Sequence, residues 1–256
     1  MVFVDSYRIP AAAIILAAGK GTRMNSQKHN KVMLPVGGKP MIERSVEIIE
    51  QAGFSPIILV VGFGKEEIQD LLKNRVLYAV QDDQLGTAHA AQQAMKLVPD
   101  HIHNVLIVYG DDSYNYPVDL LKQLDARHAK TNPAVTMLTI TVDNPFGLGR
   151  IIRDSHGTIV RIQEEKDATD EERKITEINP TCWIFQKSFL MRYLPKVVKS
   201  SVTGEYYLVD LIRLGANAGE RIESVYGGNL PWRGVNRPEE LEEAEKMIQR
   251  DLNPSP

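Results

Sequence analysis

Short apolar runs alternate with amphipathic stretches through the first half of the chain. The apolar runs are AAAIILAA, PIILVV, VLYAVQ and NVLIVYG, and the amphipathic stretches cover residues 41–52, 65–73, 87–98 and 118–129. Short apolar runs fit buried strands, whereas apolar positions that recur every three or four residues fit helices packed on one face. The alternation predicts βα repetition around a mainly parallel sheet.

The pattern changes after about residue 144. The segment IIRDSHGTIVRIQ predicts two short strands around a Ser-His-Gly turn, and a charged stretch follows at 167–174. Beyond it we expect a helix at 205–215, a strand near 224–226 and a helix from Pro238 to about Arg250. The second half is therefore expected to add an antiparallel lobe to the sheet, within one domain rather than two.

Composition favours a folded protein and limits its chemistry. The chain has 256 residues, and 30 Lys and Arg against 33 Asp and Glu leave a charge of −3, so nothing attracts a nucleic acid overall. Hydrophobic residues make up 43% of the chain, which excludes disorder as its overall state. Cys182 is the single cysteine, so an internal disulfide is excluded and a reducing compartment is favoured.

The N-terminal segment MVFVDSYRIP carries Asp5 and Arg8 where a signal peptide would need an apolar core. No apolar run approaches the roughly 18 residues of a membrane helix. We therefore expect a cytoplasmic protein without a membrane partner.

A glycine-rich loop, LAAGKGTRM at 16–24, follows the first predicted strand. Glycines there let backbone N–H groups approach a phosphate, and Lys20 and Arg23 add positive charge. The loop lacks the third glycine of a dinucleotide fingerprint, since Met24 stands at that position, and it does not match a P-loop. From the residues alone, a sharp turn with solvated cations remains the alternative, and an oxidoreductase is disfavoured.

The same loop, followed by KVMLPVGGKPMIERSV, resembles the opening signature of the sugar-1-phosphate nucleotidyltransferases. Further stretches come in the order of one branch, the pyrophosphorylase domain of bacterial N-acetylglucosamine-1-phosphate uridylyltransferase. These are QDDQLGTAHA, VYGDDS, FGLGRIIRD, IQEEKDAT, EIN, GEYYLVDLI and GVNRPEEL. The resemblance covers residues 11–245 and implies an α/β fold, with a Rossmann-like mixed sheet, mainly parallel, flanked by helices.

The resemblance implies Mg²⁺-dependent transfer from UTP to a sugar 1-phosphate, first of all N-acetylglucosamine 1-phosphate, with release of pyrophosphate. The attacking phosphate is already anionic, so catalysis needs alignment and charge neutralisation rather than a base. By resemblance, Arg23 and Lys31 act on the reacting phosphates, and Asp111 and Asn236 hold the metal. Asp111 also follows an apolar strand, and open α/β sheets bind their ligands at such strand ends.

The resemblance also assigns residues to the two substrates. Those for the nucleotide are Ala17, Ala18, Gly19, Gln81, Gly86 and Thr87, and those for the sugar are Gly149, Glu164 and Asn179. Taken alone, Thr87 is a helix cap, Asp111 a turn residue, and the segment around Glu164 a solvated charge run.

Several positions depart from the pattern of that branch, mostly on the sugar side. Pro180-Thr181 replaces Thr-Gly after the asparagine, Val209 replaces a threonine, Asn30 replaces a proline, and Asp112-Ser113 replaces Val-Pro. Glucose 1-phosphate, another sugar phosphate or another nucleotide therefore remain alternatives. A catalytically silent nucleotide-sugar sensor is a further one, disfavoured because the phosphate and metal residues are all retained.

One nucleotidyltransferase domain is expected over residues 1–256, without an acetyltransferase domain. Its nucleotide-binding half would span about 11–142, its sugar-binding half about 143–236, and a C-terminal helix and tail 237–256.

Overall fold

The computed structural model describes residues 9–21, 24 and 29–252. Its strands are β1 (Ala11–Leu16), β2 (Pro35–Val36), β3 (Lys39–Pro40), β4 (Ile57–Val61), β5 (Leu77–Val80), β6 (Asn104–Tyr109), β7 (Val135–Thr141), β8 (Arg150–Arg153), β9 (Ile159–Gln163), β10 (Glu177–Ile178), β11 (Cys182–Gln186) and β12 (Ile222–Tyr226). Its α-helices are α1 (Met41–Gln51), α2 (Lys65–Leu72), α3 (Thr87–Met95), α4 (Val118–Thr131), α5 (Asp170–Arg173), α6 (Lys187–Tyr193), α7 (Asp210–Asn217) and α8 (Pro238–Leu252).

One mixed sheet of ten strands dominates the described part of the chain. Its order is β5-β4-β1-β6-β11-β7-β10-β8-β9, and β12 pairs with β7. The strands β5, β4, β1 and β6 are parallel to one another, whereas β11 runs antiparallel to β6 and to β7. At the far end β10, β8 and β9 pair in antiparallel fashion. The predicted parallel core with an antiparallel addition is confirmed.

Helices cover both faces of the sheet, and the interior strand β1 is accordingly apolar on both sides. All six residues of β1 are buried, as expected of a parallel strand enclosed between two layers. Ile14 belongs to a core with α3, α6 and α7, and Ile15 to a core with α1, α2 and α4. Alternate side chains of one strand thus join two separate apolar layers.

Most predicted helices match within a few residues, but the helix expected at 205–215 begins at Asp210. Tyr206 is held outside the helix because its backbone N–H donates to Leu85 O at 2.8 Å and its carbonyl accepts from Ala88 N at 2.9 Å. The strand expected near 224–226 is β12. The strands β7 and β11 and the helix α6 did not emerge from the pattern.

The path along β7 contains an irregularity that matters for the site. Ile178 pairs with Ile140, and Trp183 pairs with Met137. Four residues therefore separate the two pairs on one strand path and two on the other, so residues 179–181 bulge out of the sheet, whereas Cys182 still pairs with Val108 of β6. Among the described residues, no helix has the length and apolar character needed to cross a membrane.

Candidate active site

A cleft of about 570 Å³ opens beyond the carboxyl ends of β1 and β6. This is the edge at which open α/β sheets bind ligands. Most of the predicted site residues line it: Ala17, Ala18, Gly19, Lys31, Gln81, Gly86, Thr87, Asp111 and Asn236. Gly149, Glu164 and Asn179 are not among the lining residues, and Arg23 lies outside the described residues.

Lys31 joins the two predicted metal ligands. It begins a short 3-10 turn, Lys31–Met33, and its ammonium donates to Asp111 Oδ2 and, at 3.0 Å, to Asn236 Oδ1. The side chains of Lys31 and Asp111 are 14% and 15% exposed, so the ion pair is largely screened from water. One cation therefore already lies between a carboxylate oxygen and an amide oxygen.

This oxygen pair fits Mg²⁺. The ion prefers hard oxygen ligands and takes one or two from the protein, with substrate phosphates and water completing its shell. No group of three or more His, Cys, Asp or Glu side chains in the described part of the chain could hold a metal unaided. A site of one carboxylate and one amide is consistent with a metal that arrives with phosphates.

Asn30 organises the loop around Lys31, a role that the sequence analysis missed. It is 1% exposed, and its side-chain nitrogen donates to Ala17 O at 2.9 Å and to Phe63 O at 2.7 Å. Its side-chain oxygen accepts from Val32 N at 3.1 Å, which caps the turn. A polar residue at a position where the related branch has proline was the available signal.

Gln81 is 3% exposed at the end of β5. Its side-chain nitrogen donates to Gly86 O at 3.1 Å and lies 3.0 Å from His89 Nδ1. The amide is thus fixed against the start of α3, next to the cleft.

Gly86 and Thr87 form a junction with the segment before α7. Gly86 has φ +112, and a Cβ there would lie 2.5 Å from Tyr206 O, so no other residue fits. Thr87 Oγ1 accepts a hydrogen bond from Leu208 N at 2.9 Å. The hydroxyl therefore does not cap its own helix, and the Ala88 N–H of the first turn is occupied by Tyr206 O.

Glu164 and Glu165 have different surroundings. Glu165 lies 2.5 Å from the guanidinium of Arg150, which is 2% exposed, and so serves the fold. The carboxyl group of Glu164 accepts no hydrogen bond from any described residue, and burial, with Asp167 adding to it, raises the pKa of this carboxyl above the ordinary value. A Cβ at Gly149 would lie 3.7 Å from Glu164 Oε1, so the two predicted sugar residues are neighbours.

Asn179 is occupied by contacts within the bulge between β10 and β11. It is 7% exposed. Its nitrogen donates to Leu138 O at 2.6 Å and its oxygen accepts from Thr181 N at 3.1 Å. In this structure its amide replaces the missing ladder hydrogen bonds, so a sugar would meet it only beside those contacts.

Tyr109 connects the cleft to the region of Glu164. Its ring lies 5.7 Å from that of Trp183, centroid to centroid, and it lines the cleft. Burial raises the pKa of its hydroxyl, and the negative charge of Glu164 acts in the same direction. The charge of Glu164 therefore acts on a residue that lines the cleft, although none of the predicted sugar residues lines it.

Comparison with known proteins identifies the family. The model of the nucleotidyl transferase family matches residues 12–251, nearly the whole chain. The chain belongs to the nucleotidyl transferase family. This nucleotidyltransferase is 41% identical over 240 residues to the bifunctional protein GlmU of Thermoanaerobacter pseudethanolicus and 42% identical over 242 residues to that of Staphylococcus epidermidis. Both alignments cover 94% of the chain but only 52% and 53% of the relatives, so the chain spans about half their length.

A solved structure supports the fold of the nucleotidyltransferase. It is described as a glucose-1-phosphate thymidylyltransferase from Bacillus anthracis in complex with a sucrose, and it superposes with a TM-score of 0.79. The match covers 96% of this chain and 98% of the other at 22% identity, a level at which the likeness concerns the fold alone.

Proposed function

We propose that this nucleotidyltransferase transfers a uridylyl group from UTP to a sugar 1-phosphate, with N-acetylglucosamine 1-phosphate as the first acceptor. One observation carries the proposal: Lys31 meets Asp111 and Asn236 in a cleft that the glycine-rich loop and the Gln81–Thr87 segment also line. The cation and the residues proposed for the metal thus share one cleft with the residues assigned to the nucleotide.

The reaction is an in-line displacement in which the sugar phosphate oxygen attacks the α-phosphorus and pyrophosphate leaves. The backbone of Gly19 and Gly21 lies where phosphates can approach, and the Lys31 ammonium neutralises charge beside them. Mg²⁺, held by Asp111 and Asn236, would supply further charge neutralisation on the phosphate oxygens. Asn30 holds the loop and the lysine in one arrangement, which aligns the reactants at little entropic cost.

The choice of UTP rests on Gln81. The side-chain nitrogen of this amide is engaged by Gly86 O and His89 Nδ1, which leaves the amide oxygen to accept from an N–H on a pyrimidine edge. The acceptor is inferred from the relatives named bifunctional protein GlmU and from the neighbouring Gly149 and Glu164, a backbone and a carboxylate suited to sugar hydroxyl groups.

In this proposal, about residues 11–142 bind the nucleotide and about residues 143–236 bind the sugar, within one domain. The proposed partners are UTP, a sugar 1-phosphate and Mg²⁺, in the cytoplasm, without a nucleic acid. The C-terminal helix and tail at 237–256 contain the whole of α8.

Pyrophosphate release with Mg²⁺ tests the proposal. UTP, CTP, dTTP, ATP and GTP are each combined with the 1-phosphates of N-acetylglucosamine, glucose, galactose and mannose. We expect the highest kcat/KM with UTP and N-acetylglucosamine 1-phosphate. Preference for another pair would retain the reaction and correct the substrate, and silence of folded protein with every pair would favour a nucleotide-sugar sensor.

A further inference from the structure

Asp112 connects two segments that border the candidate active site. Its side chain is buried, and its carboxylate accepts a hydrogen bond from the Thr181 hydroxyl. A Cβ at Gly234 would lie 2.3 Å from Asp112 Oδ1, so the carboxylate packs directly on backbone two residues before Asn236. One side chain therefore touches both the loop of a proposed metal ligand and the bulge beyond β10.

Thr181 holds a backbone conformation that is unfavourable for its residue type. Its φ of +56° lies in the left-handed region, which β-branched residues rarely adopt. In this conformation its hydroxyl reaches Asp112 while its backbone N–H donates to Asn179 Oδ1. Strain of this kind persists only where the surrounding contacts impose it. The hydrogen bonds of Thr181 to Asp112 and Asn179 are among those contacts, and its hydroxyl also lies 2.8 Å from the carbonyl oxygen of Pro180.

The contacts form a continuous path across the site. Val235 N donates to Asp111 O at 3.1 Å, which ties the loop of Asn236 to the loop of Asp111. The path continues through Asp112 to Thr181 and reaches Asn179. It joins the proposed metal ligands to a proposed sugar residue. The glycine-rich loop and the 81–87 segment contribute no residue to it.

We propose that Thr181, through its hydrogen bond to Asp112, is a positioning residue that sets Asp111 and Asn236 relative to the sugar side of the cleft. The proposal rests on the proposed function. Asp112 and Thr181 are also two of the positions at which the sequence departs from the related branch. A buried carboxylate requires a donor, and the threonine hydroxyl supplies it, so the two departures account for each other.

Thr181→Gly tests the proposal because it removes the hydroxyl and also relieves the left-handed strain, which limits any loss of folding stability. We expect the KM for the sugar phosphate and the Mg²⁺ concentration for half-maximal rate to rise about tenfold, as when a group behind a metal ligand is removed. The KM for UTP at saturating Mg²⁺ should stay unchanged. Thr181→Ser keeps the hydroxyl and should retain the values of the wild type.

Two controls separate positioning from a general effect. Asn132→Gly also replaces a left-handed residue by glycine. Asn132 lies at the end of α4, remote from the cleft, so this variant should leave every KM unchanged. Calorimetry without acceptor gives a readout independent of turnover: Mn²⁺ should tighten UTP binding to the wild type and to Thr181→Ser, and about tenfold less to Thr181→Gly.

The remaining outcomes overturn either the proposed function or the positioning role of Thr181. A wild type without turnover for any substrate pair overturns the proposed function and this inference with it. An active wild type with Thr181→Gly indistinguishable from it overturns the positioning role alone. The positioning role is also overturned if Thr181→Ser fails to rescue, or if Thr181→Gly raises the KM for UTP equally and lowers the melting temperature.

Discussion

The Lys31 ammonium lies between Asp111 and Asn236 and donates to an oxygen of each. Those two oxygens are the ones assigned to Mg²⁺, so the lysine and a metal ion compete for the same acceptors. When a metal and a triphosphate bind, Lys31 has a new partner in the phosphates. Lys31 therefore has an anionic partner both before and after substrate binding.

Lys31→Ala should lower kcat about 100-fold or more, because it removes a cation aimed at the developing phosphate charge. Lys31→Arg should recover only part of the activity, since the planar guanidinium does not replace a compact ammonium at this position. Steady-state pyrophosphate release by the two variants measures both effects. An unchanged kcat in Lys31→Ala would exclude a catalytic role.

Asp111→Ala should abolish measurable turnover while the protein stays folded, because Mg²⁺ loses its carboxylate ligand. The matched control is Asp82→Ala, which removes an exposed carboxylate next to Gln81 and should leave kcat/KM unchanged. Circular dichroism and pyrophosphate release are compared for both variants. Full activity of Asp111→Ala would refute the metal assignment.

The apolar pattern predicts the parallel half of the sheet because β1, β4 and β6 are buried on both faces and each helix has one apolar face. The prediction from the apolar pattern is wrong at residues 205–209. Their sequence predicts the start of a helix, but the backbone of Tyr206 instead forms hydrogen bonds around the start of α3. That pairing is a tertiary contact between residues about 120 positions apart along the chain, such as Leu208 N and Thr87 Oγ1. No local preference encodes it.

The site shows the same division. The motif resemblance assigns Lys31, Asp111 and Asn236 to the reacting phosphates and the metal, and in the structure these three residues are neighbours. It does not reveal that Asn30 holds the loop or that Thr181 is left-handed, because both depend on partners supplied by distant segments. The resemblance selects Glu164 for the sugar, but the structural role of Glu165 is visible only in its ion pair with Arg150.

Gly86→Ala should destabilise the protein by about 3 kcal/mol, because a Cβ meets the Tyr206 backbone and the conformation, φ +112 and ψ 177, is one that essentially only glycine adopts. Gly157→Ala is the matched control: Gly157 has φ +81 but open space around its Cβ position. That variant should lose only about 1 kcal/mol. Urea denaturation of both variants measures the difference, and equal losses would show that the contact with Tyr206 contributes nothing.

Glu164→Gln should affect substrate binding, whereas Glu165→Gln should affect folding stability. The first should raise the KM for the sugar phosphate about tenfold with little change in stability, since a charged hydrogen bond to the substrate is weakened. The second should lower the free energy of unfolding by about 2 kcal/mol, because the buried Arg150 loses its ionic partner. Parallel kinetics and denaturation distinguish the two, and a reversed pattern would exchange their assignments.

His128 should make the fold sensitive to acid. It is fully buried on α4, with Nδ1 2.8 Å from Thr136 Oγ1 and Nε2 3.2 Å from Asn104 Oδ1. Burial lowers its pKa from 6.5 to about 4, although the negative charge of Glu223 opposes the shift. Between these two values the unfolded chain binds a proton that the folded protein does not.

The free energy of unfolding should therefore be unaffected by His128 above pH 6.5 and should fall as the pH drops towards 4, by up to about 3 kcal/mol. Urea denaturation at pH 7 and pH 4.5 measures the loss. His128→Gln cannot take up the proton, so its stability should depend less on pH over this range than that of the wild type. The two proteins have the same carboxylates, so the histidine alone accounts for the difference. Parallel losses in the two proteins would assign the acid sensitivity to those carboxylates instead, because they titrate in both.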